Sequence, residues 1–328
     1  MLSIACDGDR EPDAPVYVEP PALERLPENG ARTDPEAPCT TGIPAASGFC
    51  ALPFEETELE IVSASSSTKD GCTQLYVASR TAGDRVARVR RYRMTGVDVC
   101  GFARDEAFGE VRAHLSEISA SEDGAVFALG YRVVRRIAPG PPIDCVARDV
   151  TLGDRSHLAV SPSGRIGYVS WDDTVATRFA KIITTADGCE LTAFSPEPFY
   201  PALRVQDLAV DADDRLHILP EREHVPASIF VFDPDGTGLI FDPSDGADII
   251  DRLTAMTPCG AGTCARGVQS RSAFGADGER LAWQRTDSEL DRQLGCRSFV
   301  GSAGGPLFCL GLGSGHHPGM RAQVIKIP

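Results

Sequence analysis

The sequence predicts an all-β protein built as a single β-propeller of four-stranded antiparallel blades, with six blades expected and five the close alternative. Three observations carry this. A short motif of small or apolar residues, a polar Asp/Ser/Gly turn and an alternating apolar strand recurs along the chain. The recurrences are spaced by about one blade length. Each unit also contains further apolar strands that complete a set of four.

The turn residues mark the repeat. They are Gly71 in "SASSSTKDGCTQLYVAS", Gly124 in "SEISASEDGAVFALG", Gly164 in "LAVSPSGRIGYVSW", Asp214 in "LAVDADDRLHILP" and Gly278 in "SAFGADGERLAWQR". Each copy reads as a hairpin between half-buried strands. Third strands follow in "RVARVRRYRM", "YRVVRRIAP", "TRFAKIITT" and "SIFVFDPDG", and fourth strands in "VDVCGFA", "DCVARDV", "CELTAF" and "GLIFDP". A sheet with two apolar faces needs neighbours on both sides, so such units must close into a ring. "FCALPFEE" near the start and "AQVIKIP" at the end are expected to form the joint of that ring.

Between the fourth and fifth turns lies "PSDGADIIDRLTAMTPCGAGTCARG", too short for a domain. Its "ADIIDRLTAM" has apolar residues at three- and four-residue spacing and predicts a short helix on a loop.

Residues 1–38 read differently from residues 39–328, the expected propeller domain. The segment "CDGDREPDAPVYVEPPALERLPENGARTDPEAP" is rich in Pro, Glu and Asp and lacks periodic hydrophobicity, which predicts a disordered acidic tether. Ile4, Ala5 and Cys6 resemble the end of a bacterial lipobox, so Cys6 is the expected lipidation site, although few residues precede it and Ser3 stands where Leu is usual.

Eleven Cys predict an oxidising compartment. With Cys6 set aside, Cys39 with Cys50, Cys259 with Cys264 and Cys296 with Cys309 are expected disulfides, while Cys72, Cys100, Cys145 and Cys189 allow three pairings. A net charge of −15 excludes a nucleic-acid partner, and no apolar run is long enough for a membrane-spanning helix.

No nucleophile elbow, P-loop, dinucleotide fingerprint or zincin motif is present. His316 and His317 sit in a Gly-rich stretch read as an exposed turn. "DPDGTG" from Asp233 lacks the closing Glu of a calcium loop and reads as a hairpin turn. The Arg stripe "RVARVRRYR" reads as a fringe paired with local acids rather than as an anion-recognition surface.

One constellation comes from the repeat register. Seven residues before the turns of units two to five stand Glu117, His157, Asp207 and Arg271, which should fall at one height on the innermost strands and form a ligand-binding ring at the channel mouth. The bland alternative is that these groups tie one blade to the next.

From about Leu59 to Gly313 the chain resembles bacterial propellers of the TolB-like, NHL and gluconolactonase-like kind, whose repeats carry an apolar-x-apolar-[SD]-x-[DS]-G turn. The resemblance implies the architecture and leaves function open among enzymes, scaffolds and receptors. Lactonases of this kind hold a divalent cation with Glu, Asn and Asp, and the sole Asn here is Asn29, so no metal and no cofactor are expected. The expectation is a monomeric, extracytoplasmic binding or scaffolding module of the bacterial cell envelope, anchored through Cys6, with a protein or glycan partner. A hydrolase or lactonase acting at the channel mouth is the alternative.

Overall fold

The structure, a computed structural model, describes residues 49–52, 58–81, 83–95, 101–173, 176–197, 204–221, 229–241, 253–267, 270–276, 280–285, 296, 298–312 and 320–325. Every regular element among them is a β-strand. The strands form five hydrogen-bonded sheets, one of nine strands, one of five and three of four. Counted as hydrogen-bonded sheets the blades number five, the close alternative of the sequence reading, because two four-stranded fans share the nine-stranded sheet.

The nine-stranded sheet contains two four-stranded fans joined edge to edge. One runs outward through Glu58–Lys69, Cys72–Thr81, Ala87–Thr95 and Gly101–Arg104. The other runs through Ser298–Val300, Leu307–Leu312, Met320–Ile325 and Phe49–Ala51. A single parallel pairing, Ala51 with Gly101, connects them. Phe49–Ala51 pairs antiparallel with Met320–Ile325, Phe49 opposite Gln323, so the joint expected between the two ends is present.

The other sheets begin at their inner edges with Glu117–Ala120, Asp154–Val160, Val205–Val210 and Leu253–Cys259. Together with Glu58–Lys69 and Ser298–Val300 these make six inner strands. Each lies against the next, and the last against the first, so the ring closes.

Alternation explains why the fans stack. On Cys72–Thr81, Leu75 and Val77 enter the core shared with Phe308 and Leu310. Tyr76 and Ala78, one residue out of phase, enter the core shared with Ile118 and Val126 on the opposite side. Side chains of a strand alternate between faces, so one apolar run serves two seams. The remaining cores repeat this between successive fans, with Leu129 against Leu158 and Val169, Tyr168 and Phe179 against Leu208 and Phe230, Ala209 against Met256 and Phe274, and Cys264 against Phe299 and Cys309.

The repeated turn has one chemistry. Gly124 N–H donates to Ser121 O, Gly164 N–H to Ser161 O and Asp214 N–H to Asp211 O, and these three residues take φ of 88°, 71° and 64°. Side chains brace the turns, since Asp123 accepts from Ala125 N–H, Ser163 from Arg165 N–H, and Asp211 from the N–H groups of Asp213 and Arg215. In unit one both Asp70 and Gly71 have positive φ. The same turn recurs in "DPDGTG", where Gly236 N–H donates to Asp233 O and Asp235 accepts from Thr237 N–H, as the hairpin reading expected.

Unit five departs from the sequence register. Its inner strand is Leu253–Cys259, so the segment expected to supply a helix on a loop supplies this strand from Leu253 onward. The register shifts between Leu253 and Ala255. The extra residue of this bulge spaces Leu253 and Met256 three apart while both remain buried, which imitates helical spacing. The first hairpin turn of the unit is therefore "CGAGTC", with Gly260 at φ 54°. Gly278 falls between the third and fourth strands and outside the described residues.

Cys259–Cys264 and Cys296–Cys309 are bonded as expected, with Cα atoms 5.7 and 5.4 Å apart. Cys145 bonds Cys189 across 4.6 Å between Cα atoms, which selects among the open pairings, and Cys72 is disulfide-bonded too. Cys39, Cys100 and the Cys50 side chain lie outside the described residues, as do Cys6 and the expected tether. Disulfides at these positions fit an oxidising, extracytoplasmic compartment. Among the described residues no helix is long and apolar enough to cross a membrane.

Candidate functional site at the channel mouth

The six inner strands enclose a channel with a cavity of about 330 Å³, whose lining includes Ser63, Glu117, His157, Asp207, Ala255 and Ser298. Their placement follows from the strand register. The turns Gly124, Gly164 and Asp214 set Glu117, His157 and Asp207 at equal distances along three consecutive inner strands. Bulges precede His157 and Asp207 on their strands. A bulge adds local twist and re-aims the side chain beyond it, here toward the channel axis.

Three of the four residues predicted from the register therefore meet. Ligating atoms of Glu117, His157 and Asp207 all lie within 4.8 Å of one another, and each side chain is half-buried. His157 Nδ1 stands 3.8 Å from Glu117 Oε2. Arg271 does not join them. It lies on Ser270–Phe274, the third strand of the fifth unit, because the true turn of that unit is at Gly260, and Ala255 takes the corresponding place on the inner strand. Sequence reasoning also missed Ser63, which stands seven residues before Asp70, the first of the two positive-φ residues in the unit-one turn. Ser298 stands seven residues before Gly305, whose N–H donates to Ser302 O in a further copy of the same turn that the sequence reading did not count.

The same side chains stitch the ring. Ser63 Oγ accepts from Ile118 N–H at 3.1 Å, Glu117 Oε2 from Leu158 N–H at 3.0 Å and Asp207 Oδ2 from Met256 N–H at 2.7 Å. One tier along, Ser65 accepts from Ala120 N–H, Ser119 from Val160 N–H and Thr257 from Gly301 N–H. The bland expectation thus holds for Glu117 and Asp207, and it coexists with their convergence. Each carboxylate is fixed by a neighbouring strand while facing the channel.

Electrostatics are unusual here. Burial, together with the facing charge of Asp207, pushes the Glu117 carboxyl well above the ordinary carboxylate range. Burial pushes Asp207 up to about 7, against the lowering effect of its bonds from Met256 and Leu208 N–H. His157 is held below the usual imidazole value by burial, against Asp172, the Val205 backbone and Glu221. Among the described residues lining the cavity there is no Lys or Arg. The site thus holds a neutral imidazole beside two acids that resist ionising together.

Other candidates resolve as structural. Arg90, on the Arg stripe, is buried and pairs with Glu110 at 2.7 Å, while Arg91 and Arg93 both reach Asp105 at 2.7 Å. Burial opposes ionisation of Glu110, but hydrogen bonds from Arg112 and Arg90 hold its carboxyl below the ordinary value. The stripe spends its charge locally. His217 is fully buried between Asp211 at 3.1 Å and Thr263 at 3.2 Å and serves the core. His316 and His317 lie outside the described residues.

No protein-family model matches this sequence, and no curated protein matches it either. Solved structures do match in fold. AofleA from Arthrobotrys oligospora is similar at a TM-score of 0.50 and 10% identity, with 83% of this chain and 85% of that chain covered. A gluconolactonase from Xanthomonas campestris aligns at a TM-score of 0.36 and 14% identity, covering 78% of this chain and 69% of the other. TolB from Acinetobacter baumannii aligns at a TM-score of 0.40 and 9% identity, covering 66% of this chain and 52% of the other. At such identities the likeness is one of fold, and the chain is a β-propeller.

Proposed function

We propose that the protein is an extracytoplasmic binding module that takes a small polar ligand, a sugar or a polar side group of an envelope partner, into the mouth of its central channel. The observation supporting this is the convergence of Glu117, His157 and Asp207 in a polar cavity of about 330 Å³. Concave sites with a few convergent polar groups are the usual form of small-ligand sites. The anchor on Cys6 and a partner in the bacterial cell envelope belong to the same proposal.

The test is a glycan array that includes cell-wall fragments, probed with the wild type and with Ala255→Trp, which fills the channel from its uncharged side. Binding by the wild type and its loss in the filled variant support the reading. Equal binding by both moves the ligand to another surface and overturns it.

The hydrolase reading draws on one specific observation. Asp207, at about 7, beside a neutral His157 could exchange a proton with a bound ester or lactone near neutral pH. Turnover of such a substrate that disappears in Asp207→Asn would favour it over simple binding.

A further inference from the structure

We propose that Glu117, His157 and Asp207 form a divalent transition-metal site, of the kind that takes Zn2+, with its open coordination position facing the channel. This rests on the reading of the channel as a binding site and names what prepares that site for its ligand.

Several independent features point to a cation. The donor set is mixed, one imidazole nitrogen and two carboxylates, which suits Zn2+ better than the all-oxygen shells of Ca2+ or Mg2+. The ligating atoms come from three consecutive strands of a rigid ring and lie within 4.8 Å of one another. Ligands around a tetrahedral zinc stand ~3.3 Å apart, so modest side-chain closure brings them to bonding distance.

Each donor also has an outer partner. Glu117 is held by Leu158 N–H, Asp207 by the N–H groups of Leu208 and Met256, and His157 by the Val205 backbone. Outer hydrogen bonds of this kind orient metal ligands and leave their remaining lone pairs directed inward. Finally, two carboxylates share one cavity with no Lys or Arg among its described lining residues. Acids drawn partly out of water are commonly paired with a cation or bound to a metal, and among the described lining residues the imidazole is the sole basic group.

A bound cation would remove the mutual repulsion of Glu117 and Asp207, whose ligating atoms lie within 4.8 Å of each other and of His157. Three protein ligands leave a fourth position for water or for a hydroxyl or carboxylate of the channel ligand.

The experiment uses the full chain, stripped with a chelator and titrated with ZnCl2 by calorimetry, with Co2+ absorption as a second readout of coordination. One equivalent should bind and raise the Tm. Glu117→Gln and Asp207→Asn, which retain an acceptor for the neighbouring strand, should each lower the affinity at least tenfold. His157→Ala should do the same, and His316→Ala/His317→Ala should leave it unchanged.

Absence of one-equivalent binding overturns the proposal. So does binding that survives in His157→Ala and vanishes in the His316/His317 variant. Glycan-array binding that persists after chelation would leave the channel reading standing while removing the metal. Loss of both would remove both.

Discussion

Asp207 accepts the N–H groups of Leu208 and Met256 and faces a second carboxylate across the channel. Replacing it with Ala strands both donors at about 1–3 kcal/mol each, so Asp207→Ala should lower the Tm by ~4–8 °C in calorimetry, whereas Asp207→Asn, which keeps an acceptor, should cost less than half of that. Its titration gives a second expectation. The Asp207 carboxyl ordinarily titrates near 3.8 and is raised to about 7 in the fold. The folded state therefore binds the proton more tightly, so this contribution is fully present below about pH 4 and is lost as pH rises toward about 7. Glu117, also raised, acts in the same sense. His157, held below the imidazole value, acts oppositely, since its contribution is lost as pH falls. Urea unfolding of wild type and Asp207→Asn across this range separates them. The wild type should lose stability relative to the variant as pH rises, and a relative gain would show that the carboxyl is not protonated in the fold.

At the scale of the element, the repeated hairpin decides what substitution it tolerates. Gly124 and Gly164 occupy equivalent turns at positive φ, but a Cβ at Gly124 would meet nothing, while one at Gly164 would come within 2.7 Å of Asp123 Oδ1. Gly124→Ala should cost about 1 kcal/mol for backbone strain, and Gly164→Ala measurably more, because the Asp123 brace must also move. Equal costs from chemical denaturation would mean that Asp123 yields freely. These turns made most of the fold legible in sequence. A positive-φ residue braced by Asp or Ser is a local event, and its spacing transmits the architecture without reference to distant contacts. The convergence of three candidate residues was legible for the same reason, since an equal offset from an equivalent turn gives an equal height on an inner strand. Arg271 was misplaced because unit five carries its signature-like "GADG" at the third hairpin, while its first hairpin is closed by the Cys259–Cys264 disulfide instead of an Asp or Ser brace. Leu253–Cys259 was hidden by its bulge, which breaks the alternation that identifies strands.

For the whole molecule, stability resides in seams rather than in one central core. Each fan buries both faces against neighbours, and backbone donors cross the channel wall from strand to strand. The Cys145–Cys189 disulfide adds a covalent clasp between the second and third fans at their outer edges, closing a sequence separation of 44 residues. The chain-entropy estimate for such a loop is about 4 kcal/mol. Cys145→Ser/Cys189→Ser should therefore unfold at a clearly lower urea midpoint than the wild type under oxidising conditions, and the two should converge once the wild type is reduced. A difference that persists after reduction would place the effect in packing around the sulfurs.

The pairing of Phe49–Ala51 with Met320–Ile325 sets the timing of assembly. Intermediate fans can find their neighbours as they emerge, but the final sheet draws its outermost strand from the beginning of the chain and its other three from the end. The inner ring waits for Ser298–Val300 to meet Glu58–Lys69, and its outer joint waits for Met320–Ile325. A ribosome or an export channel still holding the C-terminal stretch would hold an open arc with unpaired edges, and such edges invite association with other chains. The channel mouth, which needs inner strands from both sides of that joint, becomes competent only after release. A product truncated before Met320–Ile325 would leave Phe49–Ala51 without its antiparallel partner, so the outer joint of the ring is linked to synthesis of these strands.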